Sequence, residues 1–222
     1  MAKINLDTEV RFKGLLKELG FKKKKIWFVR PYKDATQELG FGHSTNNERH
    51  VRYYDCMCGL NYPRINEIAE KLGVFAYGPA CQLGDLMPQR ELKEWRLSED
   101  DSDEYYIDMI HDIVSSVKDY ALPYLEKYST LEEYVKGAEY NVFPSAFKYK
   151  SVPIAYYLLG DRDNAMKFLN RTLERLARRN DSTRNWEVIE TGDYEKLVIH
   201  SEPDRDYVDY KAFAEKFKLL WE

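Results

Sequence analysis

Three cysteines and two histidines in the first half of the chain are the residues whose types could support metal or nucleophilic chemistry: Cys56, Cys58, Cys81, His43 and His50. Cys56 and Cys58 belong to a strand-like run, which places both thiols on one face about 6.6 Å apart. Structural zinc sites usually use pairs spaced C-x₂₋₄-C or H-x₃₋₅-H, and a C-x-C pair does not have this spacing. Free cysteine is common in protein cores. We therefore predict that the cysteines pack in the core, and we predict no metal and no other cofactor.

Sequence motifs of catalysis are absent from the chain. It contains no G-x-S-x-G nucleophile elbow, no G-x-x-x-x-G-K-[ST] phosphate loop and no H-E-x-x-H metal pair. The sequence therefore favours a protein that is not an enzyme. The alternative that stays open is an enzyme or small-molecule-binding protein with a pocket between sheet and helices, near Tyr53, Asp55 and His43.

An acidic segment gives the sharpest functional signal. From Leu97 to Asp112 there are seven carboxylates and no lysine or arginine. Acids in a first helical turn favour the helix dipole, and Ser102 or Asp103 could cap such a helix, but seven acids exceed what capping needs. Charge steers association and tyrosine provides amphipathic anchors. We predict a partner-binding surface, with an ordinary solvated helix start as the alternative. Its residues are Glu99, Asp100, Asp101, Asp103, Glu104, Tyr105, Tyr106 and Asp108.

A segment of the opposite charge lies at the start of the sequence. Residues 1–33 contain ten lysines and arginines against three acids. Lys22–Lys25, followed by Trp27 and Phe28, could contact nucleic acid with a stacking platform. Lysines on an edge strand also prevent sheets from associating with each other. Because the whole chain carries a net charge of −4, we predict that nucleic-acid binding through Lys22–Lys25 is the weaker alternative.

Composition and targeting signals indicate a globular protein of a reducing compartment. Hydrophobic residues make up 44% and charged residues 32% of the 222 residues, which is ordinary for a chain with a packed core. No apolar run approaches the ~20 residues that span a bilayer. The N-terminus carries Asp7 and Glu9 and lacks the pattern of a signal peptide. An odd number of cysteines does not fit a disulfide framework. We therefore predict a cytoplasmic location and no membrane partner.

Hydrophobic periodicity divides the chain near residue 100. Period-two patterns predict strands in the first part, flanked by a helix over 5–19 and another that starts at Pro63. The strands are expected at 26–29, 36–43, 50–60, 74–83 and 92–97, with Pro31 closing the first. The central one is expected at 50–60. Residues 1–100 thus form a largely antiparallel sheet flanked by helices, which makes the fold class α+β.

The second part has a helical period throughout. A long helix starts at Asp103 and is expected to bend at Pro123, and Ser129 is expected to cap a short helix in a capping box with Glu132. Two further helices, at 152–159 and 163–179, form a hairpin, and a last helix covers 205–221. The pattern at 181–204 indicates no single element. Residues 101–222 are therefore predicted to be all-α and built of helical hairpins, either as a second domain or as part of one continuous layered domain.

Two motifs resemble a bacterial domain family of unknown function. The first is Leu19-Gly20-Phe21-Lys22-Lys23-Lys24 with Trp27-Phe28, and the second is Leu122-Pro123-Tyr124-Leu125 with the helix start Tyr128-Ser129-Thr130-Leu131-Glu132-Glu133. The resemblance covers about residues 5–138, and its motifs are structural, so it implies no catalytic or binding residue. Some members of that family resemble immunity proteins, which neutralise secreted bacterial toxins by direct binding. We therefore predict a non-catalytic, cytoplasmic protein-binding protein, and the resemblance implies an immunity or inhibitor protein whose partner is a basic toxin domain.

Overall fold

The computed structural model describes residues 10–43, 50–143, 145–183 and 205–222. Within these ranges the chain is α+β, with an antiparallel sheet in the N-terminal part and helices from residue 103 onward. The predicted fold class, an antiparallel sheet flanked by helices and followed by a helical half, is therefore confirmed. Residues 1–9 and 44–49, Pro144 and residues 184–204 lie outside the description, so the predicted start of the first helix is not addressed.

Six strands and nine α-helices are formed by the described residues. The strands are β1 (Lys22–Lys24), β2 (Trp27–Tyr32), β3 (Ala35–His43), β4 (Val51–Asn61), β5 (Ala80–Gln82) and β6 (Trp95–Ser98). The helices are α1 (Val10–Glu18), α2 (Pro63–Lys71), α3 (Leu83–Leu86), α4 (Asp103–Ser116), α5 (Leu122–Lys127), α6 (Leu131–Glu139), α7 (Ser145–Leu158), α8 (Arg162–Thr183) and α9 (Arg205–Lys218). A π-helical turn at Val117–Ala121 joins α4 to α5, and a 3₁₀ turn at Leu219–Trp221 follows α9.

Strand β4 is the centre of the sheet, as the sequence predicts. It pairs antiparallel with β3 along one edge and with both β5 and β6 along the other, while β2 and β1 continue the sheet beyond β3. Side chains alternate between the two faces of a strand. On β4 the buried face carries Cys56 and Cys58, whereas Tyr53 and Asp55 lie on the other face and are half-buried.

Helices cover the cysteine-bearing face of the sheet. Phe12 of α1 packs edge-on against Phe28 and Phe41, with ring centroids 5.7 Å and 4.9 Å apart. Trp95 of β6 donates from Nε1 to Asp112 Oδ2 of α4 at 2.7 Å. Since these contacts all reach the face that carries Cys56 and Cys58, the main core of this part of the chain lies between that face and α1, α4 and α5.

Three local predictions are wrong, each for an identifiable reason. Strand β2 runs through Pro31 to Tyr32, because β1 pairs only with Trp27–Val29 and the later residues of β2 form an edge that tolerates proline. The predicted strand at 74–83 is reduced to β5, since its first half follows Gly73, which has a positive φ of 69°, and includes Pro79. The cap of α6 is Thr130, whose Oγ1 accepts from Glu133 N at 3.3 Å, rather than Ser129.

The described residues form two compact units. One unit combines residues 1–64 with 77–144, and the other combines residues 65–76 with 145–222. Helices α4–α6 therefore group with the sheet, and neither unit follows the predicted regions 1–100 and 101–222. Whether the two regions are separate domains stays a prediction.

The second unit contains the predicted helical hairpin of α7 and α8. Gly160, with φ of 73°, ends the first helix, and Asp161 Oδ1 accepts from Asn164 N at 3.1 Å at the start of the second. Tyr157 of α7 packs edge-on against Phe217 of α9, with centroids 6.2 Å apart. Aromatic side chains thus form much of the core of this unit.

Candidate partner-binding surface

The predicted acidic surface begins with a tight turn after β6. Asp101 N donates to Ser98 O at 3.2 Å, and Ser98 N donates to Asp101 Oδ2 at 2.6 Å. The second carboxylate oxygen of Asp101 lies 3.4 Å from Arg96 Nη1. Because both oxygens of Asp101 have partners and only 17% of its side chain is exposed, Asp101 shapes the turn rather than offering charge to a partner.

Ser102 then starts helix α4. Its Oγ accepts from Tyr105 N at 3.2 Å, so of the two predicted caps it is Ser102 that acts. The hydroxyl of Tyr105 donates to Arg96 O at 3.1 Å, while the residue remains 44% exposed. The ring of Tyr105 is therefore held against β6 with one side in solvent, and a ring that is already ordered loses little entropy on binding.

Four carboxylates around Tyr105 have no counter-charge in the described structure. Asp100, Asp103, Glu104 and Asp108 are exposed, and none forms an ion pair with a described residue. Glu99 is also exposed, but its Oε2 lies 3.2 Å from His50 Nδ1. The surface thus presents at least four uncompensated negative charges next to one fixed aromatic ring. We call these five residues, Asp100, Asp103, Glu104, Tyr105 and Asp108, the acidic–aromatic surface.

The spacing of the acids on α4 does not favour the helix itself. Glu104, Asp108 and Asp112 follow one another at i, i+4, where like charges cost about 0.2–0.5 kcal/mol per pair. Asp112 is compensated by Lys93 Nζ at 3.1 Å and by the Trp95 indole, but Glu104 and Asp108 are not. The helix dipole favours acids only within the first turn, which contains Asp103 and Glu104. Helix stability therefore does not account for Asp108.

Tyr106 has a different environment from Tyr105. It lies on the helix stripe of Ile110 and Ile113, which are fully buried, and it is half-buried itself. Its predicted role as a surface anchor therefore falls to Tyr105 alone.

Sequence reasoning missed the basic residues that border this surface. Arg96, His50 and Lys93 lie beside the acids, where Glu99 N donates to His50 O at 3.1 Å. His50 is brought there by the pairing of β4 with β6, which begins at Val51 and Ser98. Local sequence carries no signal for the position of His50, because it depends on which strands pair.

Two of the three residues proposed for the alternative pocket do not lie between the sheet and the described helices. Tyr53 and Asp55 lie on the sheet face opposite to the one that α1, α4 and α5 cover. Gly42, which pairs with Asp55, leaves room for that carboxylate, because a Cβ there would lie 2.7 Å from Asp55 Oδ1. The side chain of His43 lies outside the described residues. Tyr53 and Asp55 are thus half-buried side chains of that opposite face, and the alternative function stays a prediction.

The lysines of the alternative nucleic-acid site lie on and beside the edge strand β1. Lys23 Nζ lies 4.5 Å from the centroid of the Phe28 ring, and Phe28 itself is 1% exposed. The Trp27 ring lies against Gly40, where an added Cβ would come within 2.4 Å of it. Phe28 therefore cannot stack on a base and one face of Trp27 is occupied, while nucleic-acid binding through Lys22–Lys25 stays a prediction.

The cysteines pack together beneath the sheet, as predicted. Cys56 and Cys58 are buried, Cys81 pairs with Cys58 across the sheet, and all three are free thiols. A hydrogen bond with Cys56 and burial raise the pKa of the Cys58 thiol well above its usual range, and burial raises the pKa of Cys81 to about 12. Within the described ranges no group of three histidine, cysteine or acidic residues could hold a metal ion. Protonated thiols are poor nucleophiles, and the raised pKa values keep Cys58 and Cys81 protonated at neutral pH.

We expect the Cys81 thiol to make the protein less stable in alkali. An unfolded cysteine ionises at about pH 8.5, whereas the folded thiol with its raised pKa keeps its proton to about pH 12. In this window the unfolded chain binds fewer protons, so stability falls as pH rises, by up to about 1.4 kcal/mol per pH unit. Urea unfolding from about pH 8 to about pH 11 measures the slope, and Cys81→Ala should reduce it. Equal slopes for the two proteins would refute the expectation.

None of the described helices has the length and apolar character needed to cross a membrane. No family model, curated protein or solved structure gives a significant match to this chain. The resemblance to a bacterial domain family therefore stays a prediction.

Proposed function

We propose that this chain is a non-catalytic protein that binds the basic surface of a protein partner through its acidic–aromatic surface. The observation that carries the proposal is the set of exposed carboxylates, Asp100, Asp103, Glu104 and Asp108, without counter-charges among the described residues, around the fixed ring of Tyr105. Charges of one sign on a binding surface accelerate association with a partner of opposite sign, and fixed tyrosines contribute a large share of affinity.

The geometry supports this function better than catalysis. The thiols with raised pKa values, Cys58 and Cys81, are protonated at neutral pH, and the acidic residues of α4 face solvent. A rigid helix start beneath the surface also favours binding, because Met109, Ile110 and Ile113 anchor α4 in the core. The partner can therefore dock without rearrangement of the helix.

The finer proposal is that the chain acts as an immunity or inhibitor protein in the cytoplasm and that its partner is a basic toxin domain. Two arguments support it: the resemblance over residues 5–138, and three free cysteines, which suit a reducing compartment. An inhibitor of this kind would need no catalytic group of its own. The sign of its surface would match a nucleic-acid-degrading enzyme, since such enzymes carry positive charge to bind phosphates.

The experiment combines quantitative capture from the native cell with calorimetry on the identified partner. We expect the triple variant D100K/D103K/E104K to bind that partner at least about tenfold more weakly at 0.1 M ionic strength, mainly through slower association. Asp101 is left unchanged, because its replacement would also break the turn after β6. The melting temperature of the triple variant should stay close to that of the parent chain.

The matched control is E67K/E70K/E132K, which changes the net charge equally. Glu67, Glu70 and Glu132 are exposed and form no ion pair with a described residue, and Glu132 lies in the first turn of α6 as Asp103 does in α4. The control variant and the parent chain should bind the partner with the same affinity. An equal loss of affinity in both variants would mean that only the net charge of the chain matters. Unchanged affinity in both would show that the acidic–aromatic surface is not part of the interface.

A further inference from the structure

Cys58 and Cys81 are directly opposed on neighbouring strands. Cys58 of β4 and Cys81 of β5 are Cα partners in the antiparallel register. Opposed residues in such pairs have Cα atoms about 4.5 or 5.5 Å apart, and disulfides span Cα separations of about 4.4–6.8 Å. The two thiols can therefore join without a change of strand pairing.

Cys56 is less suited to pair with Cys58. The two residues are separated by one position on the same strand, so their Cα atoms lie about 6.6 Å apart with parallel side-chain directions. Parallel side chains keep the Cβ atoms about as far apart as the Cα atoms, whereas a disulfide needs Cβ atoms about 3.5–4.5 Å apart, so a Cys56–Cys58 link would strain the strand. Cys56 Sγ lies 3.9 Å from Met57 O and also hydrogen-bonds with the Cys58 thiol, so Cys56 is the competing partner that the test has to separate from Cys81.

Cys81 is the accessible member of the pair. It is half-buried, whereas Cys56 and Cys58 are fully buried. The hydroxyl of Tyr124 donates a hydrogen bond to its sulfur, which favours the thiolate, while burial opposes it and is the larger effect. An oxidant therefore reaches Cys81 first, and its reaction is slow at neutral pH.

We propose that Cys81 and Cys58 form an oxidative modification site, in which a peroxide converts the two thiols into a cross-strand disulfide. The sulfur of Cys81 attacks the peroxide, its O–O bond breaks, and Cys81 becomes a sulfenic acid with release of water. The sulfur of Cys58 then displaces the hydroxyl group, which leaves as a second water, and the S–S bond forms. The two thiols supply the two electrons that reduce the peroxide, and a dithiol reductant reverses the step.

The crosslink would close the chain between β4 and β5. Residues 59–80, which contain α2 and the 65–76 segment of the second compact unit, form the closed loop. A loop of this length lowers the entropy of the unfolded chain, which raises stability. Oxidation would thus join the two ends of residues 59–80 covalently, and reduction would break this link.

The test treats the 222-residue chain with hydrogen peroxide overnight, blocks remaining thiols and maps crosslinked peptides by tandem mass spectrometry. We expect a Cys58–Cys81 link in parent chain and in Cys56→Ala, loss of the link in Cys58→Ala and in Cys81→Ala, and a rise in Tm of roughly 5–10 °C that dithiothreitol reverses. The crosslinks mapped in the parent chain show which cysteines are joined even where a variant folds poorly.

Three outcomes would overturn the proposal: a Cys56–Cys58 link, a Cys81–Cys81 link between two chains, or oxidation of Cys81 to sulfinic acid without any link. The last of these would show that Cys58 does not reach the oxidised sulfur. The proposal does not depend on the acidic–aromatic surface, and D100K/D103K/E104K should form the same disulfide.

Discussion

Gly78→Ala should lower the free energy of unfolding by about 3 kcal/mol or more, which would make it among the most damaging single changes in this chain. A Cβ at Gly78 would lie 1.6 Å from Leu60 O and 2.7 Å from Leu60 C. Both are backbone atoms of β4, so no side chain can rotate away to make room. The chain would have to move off β4, which would break the bond from Leu60 N to Pro79 O and disturb β5.

Two other glycines provide matched controls for Gly78→Ala in urea unfolding followed by circular dichroism. A Cβ at Gly59 would meet its nearest neighbours at 3.8 Å, an ordinary contact, so Gly59→Ala should cost much less. Gly14 lies inside α1 with nothing within 4 Å, so Gly14→Ala should stabilise the protein by about 0.5–1 kcal/mol. A cost for Gly78→Ala within about 1 kcal/mol of that for Gly59→Ala would contradict the steric argument.

Periodicity predicted the elements that bury one continuous face. Strands β3 and β4 and helix α2 lie within one or two residues of their predicted bounds, because their apolar residues repeat with the period of the element. Besides Gly73 and Pro79, a tertiary reason also shortens the predicted strand at 74–83. Val74 and Phe75 are apolar, but Gly78 approaches β4 so closely that pairing begins only at Ala80. Such a close approach of two backbones leaves no periodic pattern in the sequence.

The candidate site was only partly predictable for a related reason. The count of acids and the cap at Ser102 follow from local sequence, since both concern residues within one turn. The different roles of Asp101 and Asp100 do not, because the partner of Asp101 is Arg96 on the preceding strand. The separation of Tyr105 from Tyr106 required the helix phase, which the stripe of Ile110 and Ile113 would have given. Alternation along a strand places neighbouring residues on opposite faces, but it does not tell which face the helices cover.

A polar network beneath the sheet is the second place where a single change should have a large effect. Arg30 Nε donates to Gln37 Oε1 at 2.7 Å, Nη2 donates to Glu126 Oε1 at 2.6 Å, and Nη1 donates to Leu19 O at 3.1 Å. Gln37 is fully buried, and its Nε2 donates to Ser129 Oγ at 3.0 Å. The network thus ties β2 and β3 to the end of α1 and to α5. None of these bonds is visible in local sequence.

Arg30→Met should lower the free energy of unfolding by about 2–4 kcal/mol. Methionine keeps most of the side-chain volume of arginine, so the loss of stability measures the hydrogen bonds. The substitution also leaves the buried Gln37 amide oxygen without its donor. Glu126 is 41% exposed and can regain water, which keeps the loss below that of a fully buried ion pair. Urea unfolding monitored by circular dichroism gives the difference.

A double-mutant cycle with Glu126→Gln separates the ion pair from the rest of the network. We expect a coupling of about 1–2 kcal/mol between Arg30 and Glu126, since Arg30 is only 16% exposed and the N–O distance is short. The remaining loss of stability in Arg30→Met would then come from the hydrogen bonds of Arg30 to Gln37 and to Leu19 O. Arg64→Met, at an exposed arginine without an ion pair to a described residue, should change stability by less than about 0.5 kcal/mol. If Arg30→Met were equally mild, the network would not contribute to stability.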